Sequence, residues 1–323
     1  MSQEKPSNSE LPALPQRRSD RKISIMHRFV FGLTLALLSY FRILGVDRAS
    51  AHLGKFLRVV GPRLRSISKR AEANLRHVYP DWDEAKIKKT TADVWENLGR
   101  TAAEYAHLDK FRVDGPEPRI IVENLSAFAD EDRTQVIFVT GHFANWEVSA
   151  ICANQLGIKL GIIYRATNNP LIDEMIIKKR AVASTPFQAP KGARGALALL
   201  DFLKRGLSIA ILADQKLGEG MSVPFMGRDA MTPTSAARMA LKYKMPIIPV
   251  TTERLKGARF RVTAHDTIHV DPSAETRGEI YRITKKINEA LEQQINACPG
   301  QWLWLHRRWG KDLVAPPVAE RNV

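Results

Sequence analysis

The spacing richest in chemistry lies in residues 136–147, V-I-F-V-T-G-H-F-A-N-W-E, where His142 follows a glycine and Glu147 comes five positions later. An imidazole beside a carboxylate can serve as a general base whose partner fixes its tautomer and stabilises the imidazolium. On an ideal helix a separation of five sets two side chains ~140° apart. The pair therefore converges only if His142 stands in a turn ahead of the helix and Glu147 in its first turn. The apolar run 136–140 reads as a buried strand, Gly141 as the turn and 145–155 as a helix, whose free main-chain N–H groups would lie beside the pair. A capping histidine and a surface glutamate would explain the same letters.

Other strand ends repeat the theme. Tyr164-Arg165 closes one apolar run and Asp214-Gln215 another, and in open α/β sheets such carboxyl ends line the binding crevice. The Arg165 fork suits a phosphate, and Asp214 could hold Arg165 or an acceptor hydroxyl. Lys191, Arg194, Lys216 and Arg228 could widen a positive rim, each being by itself an ordinary solvated cation. His265, His269 and Asp271 read as ordinary polar positions rather than a metal set, so no metal is expected. Residues 301–309, Q-W-L-W-L-H-R-R-W, mix indoles with cations; they suit a lipid headgroup level, the lining of the site, or an aromatic strand on the core. No GxSxG elbow, Walker A loop or HExxH occurs, and Gly218-Glu219-Gly220 is only half a dinucleotide fingerprint.

The elements that must hold these groups alternate. Strands are expected at 136–140, 160–164, 207–213 and 247–252. Helices are expected at 145–155, 170–182, 193–204 and 233–244, the last started by Thr232-Pro233. A strand at 259–265, hairpinned through Gly257, and a helix at 275–297 follow. This predicts an α/β fold, a largely parallel central sheet flanked by helices, with an N-terminal hydrophobic helix and a helical layer built from 68–78 and 83–108, capped at Asp81 or Asp83. The expected divisions are a disordered basic tail at 1–22, a hydrophobic anchor helix at 23–46, the helical layer at 47–115, an α/β core at 116–310 and a tail at 311–323.

Composition narrows the setting. The 323 residues carry 44% apolar side chains and a formal charge of +15, which suits a globular protein with an acidic partner: nucleic acid, anionic lipid or an acidic carrier protein. The two cysteines, Cys152 and Cys298, form no CxxC pair and favour a reducing compartment. The apolar stretch 29–46 is near the lower limit for a span, with basic residues on both sides, and suits a helix lying in or dipping into an anionic surface.

With these residues in view, the chain resembles the lysophospholipid acyltransferase superfamily and, within it, the bacterial lipid A biosynthesis lauroyl/myristoyl acyltransferases. The family's His-x4-acid block matches His142 and Glu147 in G-H-F-A-N-W-E, and its arginine block matches Y-R-A-T-N-N-P from Tyr164. Further blocks match A-D-Q-K-L-G-E-G-M-S-V-P-F-M-G from Ala213, P-I-I-P-V from Pro246, and the terminal Q-W-L-W-L-H-R-R-W, where Trp309 stands in a position often occupied by phenylalanine. The resemblance implies transfer of a fatty acyl chain from acyl carrier protein to a hydroxyl of a Kdo-bearing lipid A precursor at the inner face of the cytoplasmic membrane. His142 is then the base and Glu147 its orienting partner, while Arg165, Asp214, Asn145 and Gln215 are substrate-binding positions. Main-chain N–H groups near the helix start would hold the oxyanion. The implied partners are the acidic carrier protein, the anionic membrane and the glycolipid acceptor, with no nucleic acid; no cofactor is implied beyond the acyl donor. Two rivals stand beside this reading: an acyltransferase with another acceptor, such as a lysophospholipid or an ornithine lipid, and a non-catalytic basic protein binding membrane or RNA.

Overall fold

The computed structural model describes residues 22–124 and 135–310; the tails expected at 1–22 and 311–323 fall almost wholly outside them. Ser24 opens the first helix, α1 (Ile25–Leu44), by accepting the N–H of His27 at 3.1 Å, and Gly45 closes it at φ 77°. Only Phe41 of α1 is buried, while Ile25, Phe29, Leu33 and Ile43 are exposed. Its 20 residues make it long and apolar enough to cross a membrane, the only such helix among the described residues.

The helical layer consists of α2 (Val46–Val60), α3 (Arg65–Val78) and α4 (Glu84–Glu104), the last capped by Asp83 through the N–H of Lys86. Glycines set the close crossing of α2 and α4: a Cβ on Gly99 would stand 2.5 Å from the Leu53 carbonyl oxygen. A 3-10 turn at Tyr105–Lys110 then leads to the sheet.

Seven strands form the main sheet: β1 (Ile120–Glu123), β2 (Ile137–Thr140), β3 (Leu160–Tyr164), β4 (Gln188–Pro190), β5 (Ser208–Leu212), β8 (Ile247–Arg254) and β9 (Phe260–Ala264), in the order β1-β9-β8-β2-β5-β3-β4. Every pairing is parallel except the β8–β9 hairpin, which turns at Gly257. A separate antiparallel hairpin joins β6 (Met221–Phe225) to β7 (Arg228–Thr232) through Met226 and Gly227, both at positive φ. The crossover helices are α5 (Glu147–Gln155), α6 (Pro170–Ala183), α7 (Ala193–Lys204) and α8 (Ser235–Tyr243), and α9 (Thr276–Ala297) is the long C-terminal helix. Side chains alternate across β2: Ile137 and Val139 join the core under α3, α4, α8 and α9, whereas Phe138 joins the core under α5.

The α/β architecture and largely parallel sheet are as the sequence predicts, with three differences. An additional helix, α2, forms directly after α1 ends at Gly45, ahead of the helices expected at 68–78 and 83–108. Helix α8 begins at Ser235 behind Thr234, because Thr232 and its neighbours are taken into β7. The β6–β7 hairpin and the short strands β1 and β4 carry too little apolar alternation to announce themselves. Strand order leaves β2 at a reversal, with the chain running to β3 on one side and later to β8 on the other, so the crevice falls at its carboxyl end.

Candidate active site

Strand register decides what meets at that crevice. Thr140 of β2 lies opposite Leu212 of β5, so His142 and Asp214, each two residues further on, leave neighbouring strands side by side. The His142 Nδ1 is 2.8 Å from Asp214 Oδ1, and the His142 main-chain N–H donates to Oδ2 at 2.8 Å. Gly141 permits this approach, since a Cβ there would come within 2.8 Å of Phe143 and 3.2 Å of Asp214 Oδ2. The Trp302 indole donates a third bond, to Oδ2, also at 2.8 Å. Asp214 and Trp302 are fully buried, and the His142 side chain retains 14% exposure. Burial would raise the Asp214 carboxyl, but the charge and hydrogen bonds of His142, with a smaller push from His306, hold it well below its ordinary value.

Glu147 is placed otherwise than expected. Helix α5 starts at Glu147 and His142 precedes it, as the helix geometry required. The carboxylate nevertheless points away from His142, to Arg180 of α6 at 2.8 Å and 2.5 Å, and it also accepts the Tyr105 hydroxyl. Burial disfavours its charge, yet Arg180 first, then Tyr105 and Trp146, keep it below its ordinary value. The carboxylate on the imidazole is Asp214, and Glu147 instead ties the start of α5 to α6 and to the turn at Tyr105.

The loop between β2 and α5 is rigidly seated. Ala144 is held at φ 43°, a left-handed conformation that a non-glycine residue adopts only when its surroundings enforce it. Its N–H donates to Gln301 O at 2.8 Å, and its carbonyl accepts from Thr101 at 2.7 Å and Asn97 at 3.1 Å. Asn145, expected as a substrate contact, is fully buried and donates to Glu104 at 3.0 Å while accepting the Glu147 N–H. Glu104 in turn pairs with Arg254, whose Nε reaches Asn97 at 3.0 Å. Asn145 thus belongs to the scaffold of the loop. Such a buried, mutually bonded network fixes one geometry.

The remaining candidates divide. Gln215 lies at the site, its amide nitrogen 3.4 Å from His142 Nε2. Arg165 follows β3 with its side chain exposed. Arg228 is buried and donates to the His77 carbonyl, so it forms no part of a positive rim; the Arg194 side chain lies outside the described residues. His265 bonds Thr251, and no metal-ligating group occurs among the described residues. The terminal indoles do not face a lipid headgroup level: Trp302, Trp304 and Trp309 are buried. Tyr105 and Arg180 were not legible as partners of Glu147, since nothing in their local pattern distinguishes them from core or helix positions, whereas His306 falls in the run 301–309 that the sequence marks as a candidate lining. Trp302 and Asp214 carried more signal, one as part of an indole-rich run and the other two places beyond a strand.

Beside the Tyr105 cluster runs a groove of ≈ 700 Å³ between α1 and α6, lined by Leu35, Leu38, Ile43, Leu108, Met175 and Val182, with Lys178 and Lys179 also on its walls.

Fold and site together define an α/β protein with a histidine and a buried carboxylate paired at the carboxyl edge of a parallel sheet. The chain belongs to the bacterial lipid A biosynthesis acyltransferase family, whose model matches residues 17–311. It is 26% identical to the lipid A biosynthesis lauroyltransferase of Escherichia coli K12 over 261 residues, covering 76% of this chain and 81% of that protein. It is 23% identical over 287 residues to the lipid A biosynthesis palmitoleoyltransferase of the same organism, covering 82% and 85%, and to the same extent to a lipid A biosynthesis acyltransferase of Shigella flexneri.

Proposed function

We propose that this enzyme moves a fatty acyl chain from an acyl carrier protein thioester to a hydroxyl of a Kdo-bearing lipid A precursor at the cytoplasmic face of the inner membrane. The observation that carries the chemistry is the His142–Asp214 pair. Asp214 engages Nδ1, which leaves Nε2 for the acceptor hydroxyl in place of the Gln215 amide. His142 takes the hydroxyl proton while Asp214 stabilises the imidazolium. The acceptor oxygen bonds to the thioester carbon, and the C–S bond then breaks with its electron pair leaving on sulfur. His142 returns the proton to that thiolate, so no covalent enzyme intermediate is needed.

The setting supports the same reading. Helix α1 exposes an apolar face, the groove beside it has room and lining for hydrocarbon, and the net charge of +15 suits an acidic carrier and phosphate-bearing lipid. Arg165, exposed behind β3, is then available to a phosphate of the acceptor. The test is mass spectrometry of lipid A from cells with the gene, without it, and with the H142A form. One acyl chain should be missing in the latter two. Identical acylation in all three would remove the lipid A assignment.

A further inference from the structure

Helix α2 reverses the arrangement usual for a surface helix. Its buried positions, Val46, Ala49, Ser50 and Gly54, are mostly small and let α4 approach, since a Cβ on Gly54 would stand 2.6 Å from the Arg100 side chain. Arg48, His52, Lys55, Phe56 and Val59 share the other side, within an arc of about 100° on an ideal helix, and all five are exposed. Phe56, the bulkiest apolar residue of α2, and Val59 are each 58% exposed, and Leu64, just beyond the 3-10 turn Gly61–Arg63, is 47% exposed.

The same side is strongly basic. Between positions 46 and 70 the sequence holds seven lysines and arginines against one acid, Asp47. That acid is engaged by Arg119 at 2.9 Å and by the Ala258 N–H at 2.9 Å. Arg58 is paired with Asp93 and Glu96, and Arg70 donates to the Leu305 carbonyl. Arg48, Lys55, Arg65 and Lys69 are exposed and have no acidic partner among the described residues.

Cations alone would suit any acidic surface. Apolar side chains exposed among them suit a bilayer, where they enter the acyl boundary while lysine and arginine stems reach the headgroup phosphates. Continuity points the same way. Only Gly45 separates α2 from α1, whose Phe29, Leu33 and Ile43 are exposed, so a bilayer that receives α1 also reaches α2.

We propose that the outer face of α2, with the turn that follows it, is a second membrane contact that recognises an anionic lipid surface. The inference rests on reading α1 as a membrane element and adds to it the face that senses lipid charge. Helix α2 is also tied to the site: Ser50 donates to Glu104 at 2.7 Å, and Glu104 accepts from Asn145 at 3.0 Å in the loop that carries His142. Lipid held at α2 therefore keeps that loop close to the membrane surface.

The test is flotation of the full chain with phosphatidylcholine vesicles, with and without phosphatidylglycerol. The variants are R48Q/K55Q and F56S/V59S, each made in the wild type and in an F29E/I43E background that weakens the contribution of α1. All changed side chains are exposed, so the variants are expected to melt with their parent proteins. R48Q/K55Q should weaken binding to the phosphatidylglycerol vesicles by about 30-fold and leave binding to pure phosphatidylcholine unchanged. F56S/V59S should weaken both by about 10-fold. Added salt should weaken the parent on anionic vesicles more than R48Q/K55Q. R48Q/K55Q binding phosphatidylglycerol vesicles as tightly as its parent in both backgrounds overturns the proposal, and a loss of affinity for acyl carrier protein in that variant would then assign the face to an acidic protein. The α1 contact survives that result. A wild type that floats with neither vesicle overturns both.

Discussion

Trp302 and Asp214 are joined by a hydrogen bond of 2.8 Å between two fully buried side chains, and the same carboxylate oxygen receives the main-chain N–H of His142. The C-terminal segment thereby fixes the carboxylate that holds the His142 ring. W302F removes one donor and little volume. It should cost about 1–3 kcal/mol of stability and lower kcat, because the carboxylate that orients His142 loses one of its donors. Urea unfolding and kcat normalised to folded protein measure the two effects. An unchanged kcat would count against Trp302 as a group that fixes this carboxylate.

The two carboxylates should separate by phenotype. D214N, which keeps the shape but removes the charge on His142, should lower kcat by roughly 10³–10⁴-fold. E147Q leaves Arg180 buried without its partner and should destabilise by about 3–5 kcal/mol, with the folded fraction still turning over. Kinetics normalised to folded protein decide between them; E147Q losing catalysis without losing stability would restore Glu147 as the partner of His142.

Stability should fall on acidification in a window set by His306. Its native value is about 4 against an ordinary 6.5, so between these pH values the unfolded chain binds a proton that the native chain does not. Stability is therefore whole above about pH 6.5 and declines as pH falls towards 4, by up to about 3 kcal/mol from this residue. His265 and His107, both lowered by burial, act with the same sign. Asp214, likewise depressed, adds a further loss only below the ordinary carboxylate range. In H306L the decline between pH 6.5 and 4 should be shallower than in the wild type, read from denaturation midpoints at each pH; an equal slope would refute this assignment.

Membrane association should depend on the exposed side of α1. Phe29 and Ile43 are 68% and 85% exposed, and burying such a side chain in an apolar phase yields about 1.5–3 kcal/mol. The double variant F29E/I43E should leave thermal stability intact and weaken flotation with anionic vesicles by at least about 100-fold. Wild-type flotation should also weaken with added salt, because basic residues contribute electrostatically. Undiminished flotation of the variant would move the membrane contact elsewhere.

Much of the scaffold was legible because local patterns control it. The runs at 136–140, 160–164 and 247–252 are apolar for the length of a strand, and Asn169-Pro170 and Asp83 supply helix starts in their neighbourhood, so alternation of strand and helix implied a parallel sheet. The β6–β7 hairpin was not legible. Its turn is Met226-Gly227 rather than Asn-Gly, Pro224 interrupts the run, and what stabilises it is packing against α9.

At the site, the sequence by itself determined that a histidine would stand between a buried strand and a helix, with a glutamate in the first helical turn, because short-range geometry depends only on spacing. Only the tertiary structure decided which carboxylate that histidine meets. Glu147 is near in the chain, but the course of α5 turns its side chain towards Arg180. Asp214 is 72 residues away, yet the register of Thr140 with Leu212 and the missing side chain of Gly141 set it against the imidazole. Strand register and close approach are properties of packed neighbours, and no spacing along one strand encodes them.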